Sequence, residues 1–131
     1  MKMNWLNKSV VILGLLFIVS CQKSVDYRDK FTGNYLFTAK VTITPTADTN
    51  YHDTLYNYSG TITKGETSNQ INFNSTKGGD ITAVVSEGGS LSKPPNSGLG
   101  WDIYGQFESD GKVSFTFATV GWSELVVGIK R

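Results

Sequence analysis

Residues 35–44 read YLFTAKVTIT. Positions 35, 37, 39, 41 and 43 are Tyr, Phe, Ala, Val and Ile, and Thr38, Lys40, Thr42 and Thr44 between them are polar. Successive side chains of an extended backbone point to opposite sides, so this alternation predicts a strand with one buried face and one wet face. Pro45 and the TADTN run behind it stop the strand. Residues 54–64 repeat the pattern, with Tyr56, Tyr58 and Ile62 on one face. Gly60 inside this second strand predicts a bulge or sharp bend.

The rest of the chain continues in the same way. Residues 65–69 form a turn, and Ile71 and Phe73 point inward from a short strand over 70–74. The KGGD turn at 77–80 leads to Ile81, Ala83 and Val85. Gly88-Gly89 turns into a short strand around Leu91, and Pro94-Pro95 with NSGLG makes the longest loop of the second half. Trp101, Ile103, Gly105 and Phe107 then share a face. Ser109-Asp110-Gly111 is a hairpin signal, answered by Val113, Phe115 and Phe117. Residues 119–123 turn the chain, and Leu125, Val127 and Ile129 are the apolar set of the last strand. The pattern gives about eight strands. No connection is long enough for a parallel crossover. The expected fold is an all-β antiparallel meander, either a small barrel or a flattened sandwich. The barrel is preferred because closure removes sheet edges.

Asp29-Lys30-Phe31-Thr32-Gly33-Asn34-Tyr35 resembles the DKFxGxY opening of small envelope lipoproteins of Bacteroidetes-type bacteria. Ile71-Asn72-Phe73 and residues 81–85 resemble that family's middle strands, and residues 105–117 its closing hairpin. The resemblance implies a lipocalin-like β domain at the cell envelope and supplies no catalytic residue. Some relatives carry cysteine pairs in the domain; this chain has none there.

The first 20 residues differ from the rest. Lys2 and Lys8 give a positive start, and residues 10–19 read VVILGLLFIV. Such a run is about half the length a spanning helix needs, so it reads as the core of a secretory signal, with a helical signal peptide over 1–20. Ile18-Val19-Ser20-Cys21 resembles the lipobox of bacterial lipoproteins. A cysteine thiolate is the nucleophile that accepts a diacylglyceryl group as a thioether, and the small Ser20 admits the peptidase. The resemblance implies a covalent lipid at Cys21, a further acyl chain such as palmitate on its amine, and anchoring by more than one chain. The predicted organisation is a signal peptide at 1–20, a lipid anchor and polar tether at 21–29, and one β domain at 30–131. The predicted location is the bacterial cell envelope, at the outer membrane.

Composition narrows the chemistry. Twelve Lys+Arg against 11 Asp+Glu give a net charge of +1, which falls to −1 once Lys2 and Lys8 are removed. Nothing here calls for nucleic acid. The chain has 1 Cys and 1 His, so no disulfide and no multi-His metal site is expected. His52 lies in the DTNYHD stretch at 48–53, beside Asp48, Asn50 and Asp53. That stretch lacks the glycine and glutamate of a calcium loop, and no G-x-S-x-G turn presents a serine nucleophile. Asp102 and Glu108 fall on the polar face of their strand, and Glu124 is the other late carboxylate. The expectation is a binding protein with no cofactor, no metal and no catalysis. Tyr51, Trp101 and Trp122 sit in or beside loops and are the candidate ligand contacts, either to a glycan or at a protein interface. The two tryptophans also suit plugs at the ends of the core. Asp53-Thr54-Leu55 resembles an O-glycosylation sequence of Bacteroidetes-type envelope proteins, which makes Thr54 a candidate acceptor. Two further functions fit: an assembly partner of an outer-membrane complex, and a carrier of a small apolar ligand. The carrier needs a cavity, whereas the Phe and Ile residues at 37, 73, 103, 107, 115 and 117 look bulky enough to fill the interior.

Overall fold

The computed structural model describes residues 24–43, 54–77, 79–98 and 100–131. The signal segment, the lipobox residues Ile18, Val19 and Ser20, and Cys21 lie outside the described residues, as do Tyr51 and His52. Eight strands follow one another: β1 (Gly33–Ile43), β2 (Thr54–Lys64), β3 (Gln70–Ser75), β4 (Ile81–Val85), β5 (Ser90–Ser92), β6 (Trp101–Phe107), β7 (Lys112–Thr119) and β8 (Trp122–Lys130). Each pairs antiparallel with the next, and β8 pairs with β1, so the meander closes into a barrel. The sandwich is excluded. Closure leaves every strand paired on both sides and removes the edges on which β proteins aggregate.

The odd-numbered residues of β1, β6 and β7 take the inward positions as the alternation predicts, except that Ile43, at the end of β1, is 49% exposed. Tyr35, Phe37, Ala39, Ile103, Phe107, Val113 and Phe115 are all buried. β8 is inverted. Val126 and Gly128 are the buried residues, whereas Leu125 and Ile129 are each 50% exposed on the outer surface. The turn explains the inversion. It is only Val120-Gly121, with Thr119 paired to Trp122, so Phe117 stands opposite Glu124 and Phe115 opposite Val126. A register shifted by one residue would exchange the two faces, because side chains alternate with a period of two.

Gly60 makes no bulge. Its pairing with Tyr35 on one side and Ser75 on the other is unbroken. The residue is small because of Phe37 and of the Asn74 carbonyl oxygen, which a Cβ there would approach to 2.8 Å. A Cβ at Gly60 would lie 2.9 Å from Phe37 Cε2, and a Cβ at Gly128 would lie 2.5 Å from Phe37 Cε1. Glycines on β2 and β8 therefore make room for one large ring on the strand between them.

The two ends of the barrel differ. The chain reaches the barrel through a short 3-10 helix at Tyr27–Lys30, capped by the Asp26 carboxylate accepting from Arg28 N–H. Behind it, Phe31 stacks on Phe107 at 4.5 Å and closes this end. Residues 26–29, which read as tether in the sequence, are thus docked. Arg28 is 8% exposed and donates to the carbonyls of Gly65, Thr67 and Gln70 in the β2–β3 turn. It also pairs with Asp26 at 2.7 Å, and Lys64 reaches both Asp26 and Asp29. Tyr27 Oη donates to Val85 C=O, and Tyr35 Oη to Phe31 C=O. At the opposite end β1, β3, β5 and β7 finish and β2, β4, β6 and β8 begin. No helix among the described residues is long and apolar enough to cross a membrane.

Candidate functional site

An eight-stranded barrel is just wide enough for side chains to fill it or for one small ligand to enter. Here the first holds at the closed end and the second at the other. A cavity of about 420 Å³ opens at the far end. The buried rings of Phe37, Phe73 and Phe115 form its floor. Tyr56, Tyr58, Phe117 and Val126 line its walls, and Trp101 and Trp122 stand at the rim with Lys77 and Asp80. The expectation that bulky residues fill the interior is therefore wrong at this end. Phe37, Phe73 and Phe115 fill only the depth they reach. The small Ala39 and Ala83 occupy inward positions beside them.

The aromatic lining falls into two groups of touching rings. Trp101 packs on Phe117 at 5.1 Å, and Phe117 meets Trp122 edge-on at 5.6 Å. Across the opening Phe37 stacks on Tyr58 at 5.2 Å, and Tyr58 lies 5.7 Å from Tyr56. Ring contacts of this kind hold the walls in place without a ligand.

One polar pair interrupts the rings. Tyr56 on β2 and Glu124 on β8 both flank β1, where Tyr56 is opposite Ala39 and Glu124 opposite Val41. The short Ala39 side chain leaves space for the two to meet over it, and Tyr56 Oη donates to Glu124 Oε1 at 2.6 Å. Burial, then the hydrogen bond to Glu124 and its charge, push the Tyr56 phenol up to about 12. Burial and the same carboxylate raise Tyr58 as well. Both phenols are therefore neutral donors at physiological pH. The Lys77 ammonium lies over the Tyr56 ring, 3.8 Å from its centroid.

The candidate residues from sequence thus separate. Trp101 and Trp122, the candidate ligand contacts, come together at the mouth, joined through Phe117. Asp102 and Glu108 are exposed outside the barrel, and Glu108 pairs with Lys112 at 3.2 Å. Thr54 is exposed at the start of β2. The sequence does not mark Glu124, Tyr56 or Lys77 as ligand contacts. The signal lay in the two-residue Val120-Gly121 turn, which puts Glu124 on the same side as Phe117. Among the described residues no group of three or more His, Cys, Asp or Glu side chains is placed to hold a metal ion. Comparison with known proteins finds no family model, no curated protein and no solved structure that matches the chain.

Proposed function

We propose that the chain is a lipid-anchored envelope protein whose barrel binds one small ligand in its open mouth and catalyses no reaction. The observation that carries the reading is the aromatic-lined cavity of about 420 Å³ with a hydrogen-bonded Tyr56–Glu124 pair in its wall. Small-molecule sites are mostly apolar concavities of this size with a few placed polar groups. A structural barrel would gain stability by filling this space with side chains. The lipid anchor is supported by the lipobox-like Ile18-Val19-Ser20-Cys21. The described chain begins at Ser24, on the closed end. An anchor at Cys21 would therefore leave the mouth facing away from the membrane surface.

The binding reading is tested with N-phenyl-1-naphthylamine, a neutral aromatic probe. Trp101 and Trp122 are the only tryptophans after Cys21, so energy transfer from them reports the mouth directly. One saturable equivalent is expected; fluorescence rising linearly to the solubility limit contradicts the site. Labelling with radioactive palmitate tests the anchor. Label should appear on the wild type and vanish in Cys21→Ala, and label that survives the substitution rejects it. A second reading, an assembly partner, draws on the outer face of the barrel, where Leu125 and Ile129 are half exposed and Leu55 more so. Crosslinking through that face should then capture a larger envelope protein.

A further inference from the structure

We infer that the ligand is an organic cation, an amine or quaternary ammonium joined to an apolar body. The inference rests on the ligand-binding reading above and adds the charge of the ligand. Its first ground is Glu124. A carboxylate on an inward face of a barrel breaks the apolar pattern, and such breaks mark functional positions. An ionised carboxylate has room for about four hydrogen bonds. Among the described residues this one takes a single bond, from Tyr56 Oη, and forms no ion pair. A negative charge flanked by aromatic rings is left to be matched by whatever enters.

The second ground is that the rings of the mouth already take cations on their faces. Lys77 Nζ lies 3.8 Å from the Tyr56 centroid, and Lys93 Nζ lies 5.8 Å from that of Trp101. The ring quadrupole draws positive charge to these faces, more strongly where water is excluded. The third ground is the sign of the lining, one lysine (Lys77) against two carboxylates, Asp80 and Glu124. An anion in this cavity would meet the Glu124 charge at close range, whereas an ammonium would be attracted by it and by the Tyr56 face. Lys77 then acts as a placeholder on that face, and removing it should favour the ligand.

The test displaces bound N-phenyl-1-naphthylamine with three compounds of one shape: benzyltrimethylammonium, its neutral carbon isostere neopentylbenzene, and the anion benzylsulfonate. The cation is expected to compete about tenfold more strongly than the isostere, and the anion least. Glu124→Gln keeps an acceptor for Tyr56 and removes the charge. It should cost the cation about tenfold and leave the isostere unchanged. Lys77→Met should strengthen the cation and weaken the anion. A probe that binds but is displaced equally by all three, or best by the anion, overturns the cation and leaves the pocket standing. Failure of probe and cation alike to bind overturns both.

Discussion

The closed and open ends of this barrel are built from the same kinds of residue to opposite effect. At the closed end Phe31, Tyr35 and Phe107 pack against one another, and three carbonyls of the β2–β3 turn accept from Arg28 and tie the 3-10 helix to the barrel. At the open end Trp101, Trp122, Tyr56 and Tyr58 line space instead of filling it, and Glu124 keeps acceptor capacity in hand. Aromatic content does not distinguish the two; what does is whether the rings are covered. On the proposed reading the closed end carries stability and the open end binding, and substitutions should separate these quantities.

The largest effect is expected at the plug. Phe31→Ala removes a buried ring stacked on Phe107 and should cost about 3–4 kcal/mol in urea unfolding, with the slope unchanged. Next comes Arg28→Met, which removes the side-chain donor from the Gly65 carbonyl and one of two donors from each of the Thr67 and Gln70 carbonyls. A loss of about 2–3 kcal/mol is expected from the same measurement. The Arg28 guanidinium, followed by its own N–H and by Lys64, holds the Asp26 carboxyl well below the usual carboxylate range. Its contribution is complete at neutral pH and is lost as pH falls beneath that range. Asp26→Asn should accordingly flatten the acid limb of a pH–stability curve. At the rim the order reverses. Trp101→Ala should cost about 1–2 kcal/mol of stability, less than the plug because the ring is only partly buried, yet weaken probe binding about tenfold.

The smallest effect is in the phenols. Burial pushes Tyr35 up to about 12, and burial with Glu124 does the same to Tyr56. Each phenol binds its proton more tightly folded than unfolded. Their contribution is complete below the ordinary phenol value of 10.0 and is lost as pH rises toward about 12. Ultraviolet titration should show both ionising late. Glu124→Gln should bring Tyr56 and Tyr58 down and leave Tyr35 where it was, since burial alone raises Tyr35.

Much of the architecture is legible in the chain. Strict alternation in residues 35–44, 101–107 and 113–117 assigns both the strands and their inward faces. The last strand is harder, because Leu125, Val126 and Val127 are all apolar and Gly128 offers no side chain to break the tie. Only the register set by the preceding turn decides its faces, and a two-residue turn at Val120-Gly121 reverses the plainer reading. Glu124 was hidden by the same ambiguity. Gly60 reads as a bulge because sequence does not show the Phe37 ring two strand positions away that needs its space. Arg28 sits in a polar run, and its burial depends on three carbonyls from a turn about forty residues downstream. Cavities are the least legible feature, since the same bulky residues either fill a barrel or floor a pocket depending on how deep they reach.

The division of labour between the two ends is tested most directly by one titration of N-phenyl-1-naphthylamine, run in parallel on Trp101→Ala and on the mild plug variant Phe31→Leu, each folded by circular dichroism. Phe31→Leu should bind one equivalent with the wild-type Kd while unfolding at lower urea, and Trp101→Ala should bind about tenfold more weakly. Wild-type affinity in Trp101→Ala, or a loss of affinity confined to Phe31→Leu, would contradict an open end built to hold a ligand.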